Sequence, residues 1–381
     1  MPLPSAPPPP RILHVSQPVD GGVARVVVDL ATAQAAAGTD VHVACPQDGF
    51  LASALGALGI RVHPWGASRS PGPRLAAEVR DLKRVIGTAG PALVHAHSAK
   101  AGLAARLALR GGIPTVFQPH AWSFEAVGGP TALVARLWER RAARWATRIV
   151  CVSEAERVTG LRAGVVGSYT VVPNGVDTGR FTPDGVAPDG HDPAGGPLVV
   201  CVGRLCRQKG QDVLLRAWPA VAARVPGARL VLVGDGLDGE RLREWAGPEV
   251  AFAGAAADAA PWYRAADVVV LPSRWEGMAL APLEAMACAR PVVVTDVDGA
   301  RESLPPAHRA HALVPPEDPE ALARALVALL RDGELRAELG RRGRRHVLDH
   351  HDARCAAAAI DAVYGELLGT APTGYRECTT T

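Results

Sequence analysis

Lysine is nearly missing from this chain of 381 residues. Of 41 basic side chains only Lys83, Lys100 and Lys209 are lysine, and the other 38 are arginine. With 40 Gly and 33 Pro the general cause is a compositional bias, so a lysine that persists marks a position to inspect. Concentrated charge is missing too. The formal net charge is +3, with +6 on residues 1–190 (19 basic, 13 acidic) and −3 on residues 191–381 (22 basic, 25 acidic). That is too mild for a nucleic-acid binder, which carries a dense basic field. It is compatible with a first half that meets anionic lipid headgroups or anionic substrates.

Long apolar runs are absent. No stretch approaches the roughly 20 residues of a membrane span. The start, MPLPSAPPPP, lacks a charged leader and an apolar core, so it reads as a disordered Pro-rich extension over residues 1–10 and not as a signal peptide. Cysteine chemistry is also unsupported. The seven Cys (45, 151, 201, 206, 288, 355 and 378) are scattered, Cys201 and Cys206 lack CxxC spacing, and no His pair completes a zinc set. Cys45, Cys151 and Cys201 lie in apolar runs as small hydrophobes, and a reduced cytoplasm is expected. No repeat of 20–50 residues is visible.

What is present is a chain of two to three domains by length, at about 150 residues each. The 48% hydrophobic and 21% charged fractions are those of a globular protein. Short apolar runs alternate with helical patterns. RILHVS (11–16), DVHVAC (40–45), RVHPW (61–65), LVHAHS (93–98), PTVFQPH (114–120) and RIVCVS (148–153) read as strands, with the first helix near Val23–Ala37. TPDGVAPDGHDPAGGP (182–197) is all breakers and polar residues, and reads as a linker. The pattern then restarts at LVVCVGRL (198–205), RLVLVGDG (229–236), VAFAG (250–254), VVVLPS (268–273) and PVVVTDV (291–297). This alternation predicts an α/β protein with two doubly wound parallel sheets, over 11–181 and 198–351. Residues 352–369 are expected to form a last helix packing back across the domains, followed by a frayed tail, 370–381. Ligands of such sheets bind at the carboxyl ends of strands, so two facing domains would place the site in the cleft between them.

Three stretches carry chemistry. Asp20-Gly21-Gly22 follows the first strand and opens the first helix. Adjacent glycines let backbone N–H groups approach an anion, though a tight turn needs them equally. The GxGxxG dinucleotide fingerprint is absent, which disfavours a dehydrogenase. Gly203-Arg204 with Lys209 ends the first strand of the second half. Arg204 offers a planar fork and Lys209 a point charge, a pair suited to a leaving diphosphate without a metal; two surface cations near a turn are the plainer alternative. The strongest is SRWEGMALAPLEAMA (273–287), in which Glu276 and Glu284 are spaced E-x7-E. A loop carboxylate accepts hydrogen bonds from sugar hydroxyls, and a helix carboxylate reaches a second polyol such as ribose. Gly277, Met278, Ala279 and Leu280 lie at the helix start, where N–H groups face outward; a solvated pair of carboxylates is the alternative.

The order GGVAR, HAHSAKAG, PHAWSF, VSEAE, VVPNGVD, VGRL-x3-KG, LVGDG, EGMAL-x3-E and PVVVTDVDGARE, from about residue 11 to 305, resembles the retaining glycosyltransferase family 4, of GT-B fold. The resemblance implies a hexosyltransferase using a nucleotide-diphospho-sugar, UDP before GDP, with no metal or other cofactor. It implies catalytic roles for His120, Glu276, Arg204 and Lys209. It implies donor contacts from Gly21, Gly22, Arg204, Lys209, Gly234, Glu276, Gly277, Met278, Ala279, Leu280 and Glu284. His97, Lys100, Arg25 and Trp122 are expected on the acceptor side. Asn174-Gly175-Val176-Asp177 matches a motif of more structural role. The family often has His-Gly where this chain has His120-Ala121. An epimerase or phosphorylase of the same fold, and a non-catalytic nucleotide-binding protein, are the competing readings.

Weaker signals remain. Asp296-Val297-Asp298 is a DxD, which elsewhere binds a divalent ion. His95 and His97 share a strand face, without a visible third ligand. Residues 131–148 form a basic helix with Trp138 and Trp145 seven apart, a candidate for peripheral contact with the inner face of a membrane, or else a packed helix with a solvated Arg face. The run Arg341, Arg342, Arg344 and Arg345 reads as a solvated helix face. The acceptor, a lipid-linked glycan or a small natural-product scaffold, is not readable.

Overall fold

The computed structural model describes residues 9–190, 192 and 195–370. The first eight residues and those beyond 370 therefore lie outside it, and with them most of the expected extension and tail. The chain divides into two compact units. Of the described residues, the first holds 9–152, 156–172 and 354–370, and the second holds the others.

The first unit is built on a seven-stranded parallel sheet of β1 (Arg11–Ser16), β2 (Asp40–Cys45), β3 (Arg61–Pro64), β4 (Leu93–His97), β5 (Thr115–Gln118), β6 (Arg148–Cys151) and β7 (Tyr169–Val171). Their order in the sheet is β3-β2-β1-β4-β5-β6-β7. The apolar runs form central strands because helices cover both faces, so no polar alternation is needed. β1, β2, β4 and β5 are buried almost throughout. The last strand, β7, was not anticipated, since Tyr-Thr-Val is too short to stand out.

The second unit repeats the plan with β8 (Leu198–Val202), β9 (Arg229–Val233), β10 (Val250–Gly254), β11 (Val268–Leu271), β12 (Val292–Thr295) and β13 (Leu313–Val314), ordered β10-β9-β8-β11-β12-β13. Its core packs Trp218, Leu214 and Val221 of the helix Gln211–Arg224 against Leu230, Val268 and Leu326. In both sheets the strand order reverses beside the first strand, and ligands of such sheets sit at the strand ends there.

Several boundaries differ from those expected. Pro173–Phe181 packs with the second unit, pinned where Val176 bridges to Asp352. Gly175 is needed there, because a Cβ would stand 2.6 Å from the Asp352 carbonyl oxygen. The last helix, Ala353–Leu368, joins the first unit: Ala357, Ile360, Val363 and Tyr364 are buried against Ile12, Leu30, Leu93, Val116 and Val150. Cys45, Cys151, Cys201 and Cys288 are buried free thiols, and Cys206 is a partly exposed one. Among the described residues no helix is long and apolar enough to cross a membrane.

Candidate active site

The sequence-predicted residues fall at the carboxyl ends of strands in each unit. In the second unit the turn after β8 carries Arg204 and Lys209, and the loop after β11 carries Ser273 to Ala279. Gly210 lets the two meet. Its φ is +66°, and a Cβ would lie 2.0 Å from the Pro272 carbonyl oxygen, so only glycine fits. The Lys209 ammonium then donates to the Glu276 carboxylate at 2.6 Å, and the Ser273 hydroxyl donates to the same Oε1 at 2.6 Å. Glu276 is buried but for an edge, and Lys209 is partly exposed. A carboxylate gripped by two donors on one oxygen is held in one orientation, with its second oxygen left to other hydrogen bonds.

Arg204 is braced rather than buried. Its carbonyl accepts from Gln211 Nε2 at 2.9 Å, and its guanidinium reaches Gln208 Oε1 at 3.4 Å. Gln208 in turn donates to the Trp275 carbonyl at 3.0 Å, tying the two loops together. Gly234, at the end of β9, has a structural reason to be glycine: a Cβ would stand 2.1 Å from the Gly203 carbonyl oxygen.

Glu284 lies in the helix Leu280–Ala287, where Tyr263 Oη donates to its Oε2 at 2.6 Å. Both residues are buried. Beside this carboxylate, burial first and then the negative charge raise the Tyr263 pKa well above its ordinary value, so the phenol keeps its proton. The helix begins at Ala279 without a side-chain cap, which leaves its first N–H groups to another acceptor. The carbonyls just before it are engaged: Gly277 O accepts from Ser153 Oγ at 2.9 Å and Met278 O from Asn174 Nδ2 at 2.8 Å. Asn174-Gly175 thus supports the Glu276 loop, in keeping with a structural role.

Sequence reasoning missed the clamp behind this loop. Arg274 donates to both Asp212 oxygens, at 2.8 and 2.7 Å, and also pairs with Glu317. The hydrogen bonds to Asp212 lead in raising the Arg274 pKa. Ser273, Gln208 and Tyr263 were also missed, because nothing local marks a Ser, Gln or Tyr whose partner is distant. In the DxD, Asp296 is paired with Arg301.

In the first unit His120 sits in the loop after β5 at φ +55°, followed by Ala121 at φ +96°. Ser98, just after β4, also has positive φ, +68°. Such backbone is costly for residues with a Cβ and concentrates at functional sites. The buried Glu156 holds it: one oxygen accepts from Ala121 N at 2.6 Å and the other from Val152 N at 2.7 Å. Glu156 was another residue that spacing did not single out.

Behind His120 lie three further imidazoles. His97 Nδ1 is 3.1 Å from His120 Nε2, and His97 Nε2 is 3.0 Å from His14 Nδ1. His14 and His95 face each other in the register of β1 and β4, and His95 Nδ1 is 2.5 Å from Tyr364 Oη. All three are fully buried. Desolvation lowers the His14 pKa to about 4 and those of His95 and His97 well below the ordinary range, so all are neutral at pH 7. His14 supplies the third nitrogen that the sequence did not reveal: ring atoms of His14, His95 and His97 lie within 4.8 Å of one another, close enough to hold a metal.

The acceptor-side expectations need correction. Lys100 is buried in an ion pair with Glu78 at 2.5 Å and donates to the Ser70 carbonyl, so it offers no free cation. Trp122 is a core residue stacked on Phe124, with Nε1 donating to the Glu156 carbonyl. His97 is fully buried behind His120. Arg25 remains partly exposed, its guanidinium over the Phe50 ring at 4.3 Å, beside exposed Gly21 and Gly22. The basic helix is shorter than expected, Gly129–Ala142. Trp138 and Trp145 pack together at 6.1 Å, and Leu133, Val134 and Leu137 are the exposed apolar residues.

Two parallel sheets whose strand orders reverse beside the first strand give the chain the plan of the GT-B fold, with the sequence-predicted residues at strand carboxyl ends in each unit. Residues 20–180 match the model of "Glycosyltransferase Family 4" and residues 196–332 that of "Glycosyl transferases group 1". Lipopolysaccharide core biosynthesis mannosyltransferase LpcC of Rhizobium leguminosarum is 36% identical over 214 residues, which cover 53% of this chain and 60% of that protein. The GDP-mannose-dependent alpha-(1-6)-phosphatidylinositol monomannoside mannosyltransferase of Mycolicibacterium smegmatis is 34% identical over 61% of this chain and 66% of that one. The chain thus spans about two thirds or less of these two relatives. It matches the phosphatidyl-myo-inositol mannosyltransferase of the same organism at 31% identity over 92% of both chains. Among solved structures, sucrose-phosphate synthase of Thermosynechococcus elongatus superposes with a TM-score of 0.80 at 26% identity, covering 94% of this chain and 99% of that one. Anabaena HepE, solved with UDP and glucose, superposes with a TM-score of 0.80 at 24% identity, covering 93% and 99%, and speaks for the fold. The chain belongs to glycosyltransferase family 4.

Proposed function

We propose that this chain is a retaining, metal-independent hexosyltransferase that moves a sugar from a nucleotide-diphospho-sugar to a hydroxyl of a lipid-linked acceptor. The observation that carries the proposal is the Lys209–Glu276–Ser273 constellation, a scarce lysine and a buried carboxylate joined across strand ends. In this reading Glu276 accepts hydrogen bonds from donor-sugar hydroxyls, and Glu284, backed by Tyr263, accepts from the ribose. Arg204, Lys209 and the uncapped start of the helix Leu280–Ala287 stabilise the charge that develops on the departing diphosphate. By resemblance to the family, His120 and the Gly21-Gly22 turn also serve the reaction.

For retention we favour front-face attack. The bond from the anomeric carbon to the phosphate oxygen breaks, the acceptor oxygen bonds to the same face, and the leaving phosphate oxygen takes the acceptor proton. A double displacement needs a carboxylate nucleophile in the first unit. Glu78, Glu139 and Glu156 are buried, engaged in other bonds and so not available for that role. The donor ranks as GDP-mannose before a UDP-sugar, reversing the order expected from sequence, because a relative above 30% identity is named for GDP-mannose. The relatives named for phosphatidylinositol substrates support a lipid-borne acceptor. Exposed Leu133, Val134 and Leu137 beside Arg136, Arg140 and Arg141 form the surface that would meet an anionic membrane.

The test is turnover of Glu276→Ala and Lys209→Ala with GDP-mannose and UDP-glucose, with products identified. Both variants should lose activity by roughly a hundredfold or more. Wild-type turnover in both would refute the site, release of free sugar or sugar phosphate would point to an epimerase or phosphorylase, and complete loss with EDTA would refute metal independence.

A further inference from the structure

Four hydrogen bonds link His120 to a carboxylate on the last helix, and the chemistry of each end determines every proton between them. Asp361 Oδ1 accepts from Gln34 Nε2 at 2.6 Å. With that bond made, the Gln34 amide turns its NH₂ to Asp361 and its carbonyl to His14. Gln34 Oε1 is 2.8 Å from His14 Nε2. A carbonyl only accepts, so His14 carries its proton on Nε2. Burial keeps His14 neutral, which leaves Nδ1 as a lone pair. His97 Nε2, 3.0 Å away, therefore holds the proton of the next bond and leaves its own Nδ1 bare. His120 Nε2, at 3.1 Å from that Nδ1, holds the last one.

We propose that this relay fixes His120 as the Nε2–H tautomer, with Nδ1 presented as a hydrogen-bond acceptor for a substrate hydroxyl, and that Asp361 and Gln34 are its positioning residues. The proposal rests on the reading that His120 belongs to the transfer site. The arrangement gives a reason for the last helix to return to the first unit, since Asp361 and Tyr364 both come from it. It also uses buried groups otherwise hard to explain: the imidazoles of His14 and His97, the Gln34 amide and the Asp361 carboxylate. A metal on His14, His95 and His97 is the competing use of the same rings. It would have to break the bond between His14 Nδ1 and His97 Nε2, and the rings of His95 and His97 stack with centroids 4.0 Å apart, as packing partners do.

The experiment is long-range ¹H–¹⁵N correlation of the histidine rings in the ¹⁵N-labelled full chain at pH 7.5, with metal content measured on the same sample. The expected spectrum has His14, His97 and His120 all protonated on Nε2. In Asp361→Leu the Gln34 amide is free to turn, so the His120 proton should move partly or wholly to Nδ1, and kcat should fall by roughly tenfold or more with KM for the nucleotide-sugar little changed. The double variant Gln34→Glu/Asp361→Asn again presents an acceptor to His14 and should restore both the tautomer and kcat. An Nδ1–H tautomer at His120 in the wild type overturns the relay without needing any variant, as does stoichiometric zinc, or an unchanged tautomer in Asp361→Leu. A shifted tautomer with unchanged kcat overturns instead the place of His120 in the transfer site.

Discussion

Replacing Ala121 by glycine should stabilise the protein. Ala121 sits at φ +96°, well inside the region that L-residues avoid. A Cβ in left-handed backbone costs roughly 1–2 kcal/mol. Glycine gives back roughly 0.5–1 kcal/mol of that through the extra freedom of its unfolded chain. The net gain is therefore about 0.5–1 kcal/mol. Hydrogen bonding should not change, because the Ala121 N–H to Glu156 bond is made by the backbone. At about 2–4 °C per kcal/mol for a unit of this size, the thermal midpoint should rise by roughly 1–4 °C. The assay is thermal unfolding of the full chain beside Ala121→Val, whose branched Cβ is worse tolerated at positive φ and should lower the midpoint. A fall in the midpoint of Ala121→Gly equal to the glycine entropy cost would show that the backbone there is not strained, and would remove strain as support for a functional loop at His120.

Three further outcomes follow from buried polar groups. Glu139→Ala leaves Arg106 charged and fully buried, having lost its 2.8 Å partner, and should cost about 3–5 kcal/mol in a urea titration; a loss below 1 kcal/mol would refute the pair's burial. Tyr263→Phe strips one donor from the buried Glu284 and should cost about 1–3 kcal/mol, read the same way; a neutral result would mean that water replaces the hydroxyl. Acid should unfold the first unit early. His14 has a folded pKa of about 4 against an ordinary 6.5, so only the unfolded state takes up protons between these values; stability is constant above pH 6.5 and falls below it, by about 2 kcal/mol at pH 5 from His14 alone, with His95 and His97 adding losses in the same direction. Urea midpoints unchanged from pH 7.5 to 5 would contradict neutral burial of these rings.

Several of the second unit's candidate residues could be picked out in the sequence. Lys209 stood out because lysine is scarce, and Glu276 and Glu284 because strand, loop and helix follow one another locally in that stretch. The partners that orient them were not legible. Lys209 and Glu276 are 67 residues apart, and Tyr263 is a core-like residue in sequence until its hydroxyl is seen on Glu284. The burial of Lys100 and Trp122 escaped the sequence for a related reason. Lys100 and Trp122 follow strand ends, where exposure is expected, but Glu78 and Glu156 lie across the fold and draw them inside. An isolated charge or indole carries no mark of whether a buried partner awaits it.

By itself the sequence determined the two α/β units, because apolar runs bounded by breakers are local signals and recur in each half. It also determined the family, through motifs kept in order along most of the chain. Only the tertiary structure decided where the units exchange segments, which cations are buried, and that His14, His97 and His120 share one hydrogen-bonded row. Those depend on contacts such as Gln34 with Asp361, separated by 327 residues. A side chain's protonation, tautomer and availability are set by what packs against it, and that is a property of the folded chain.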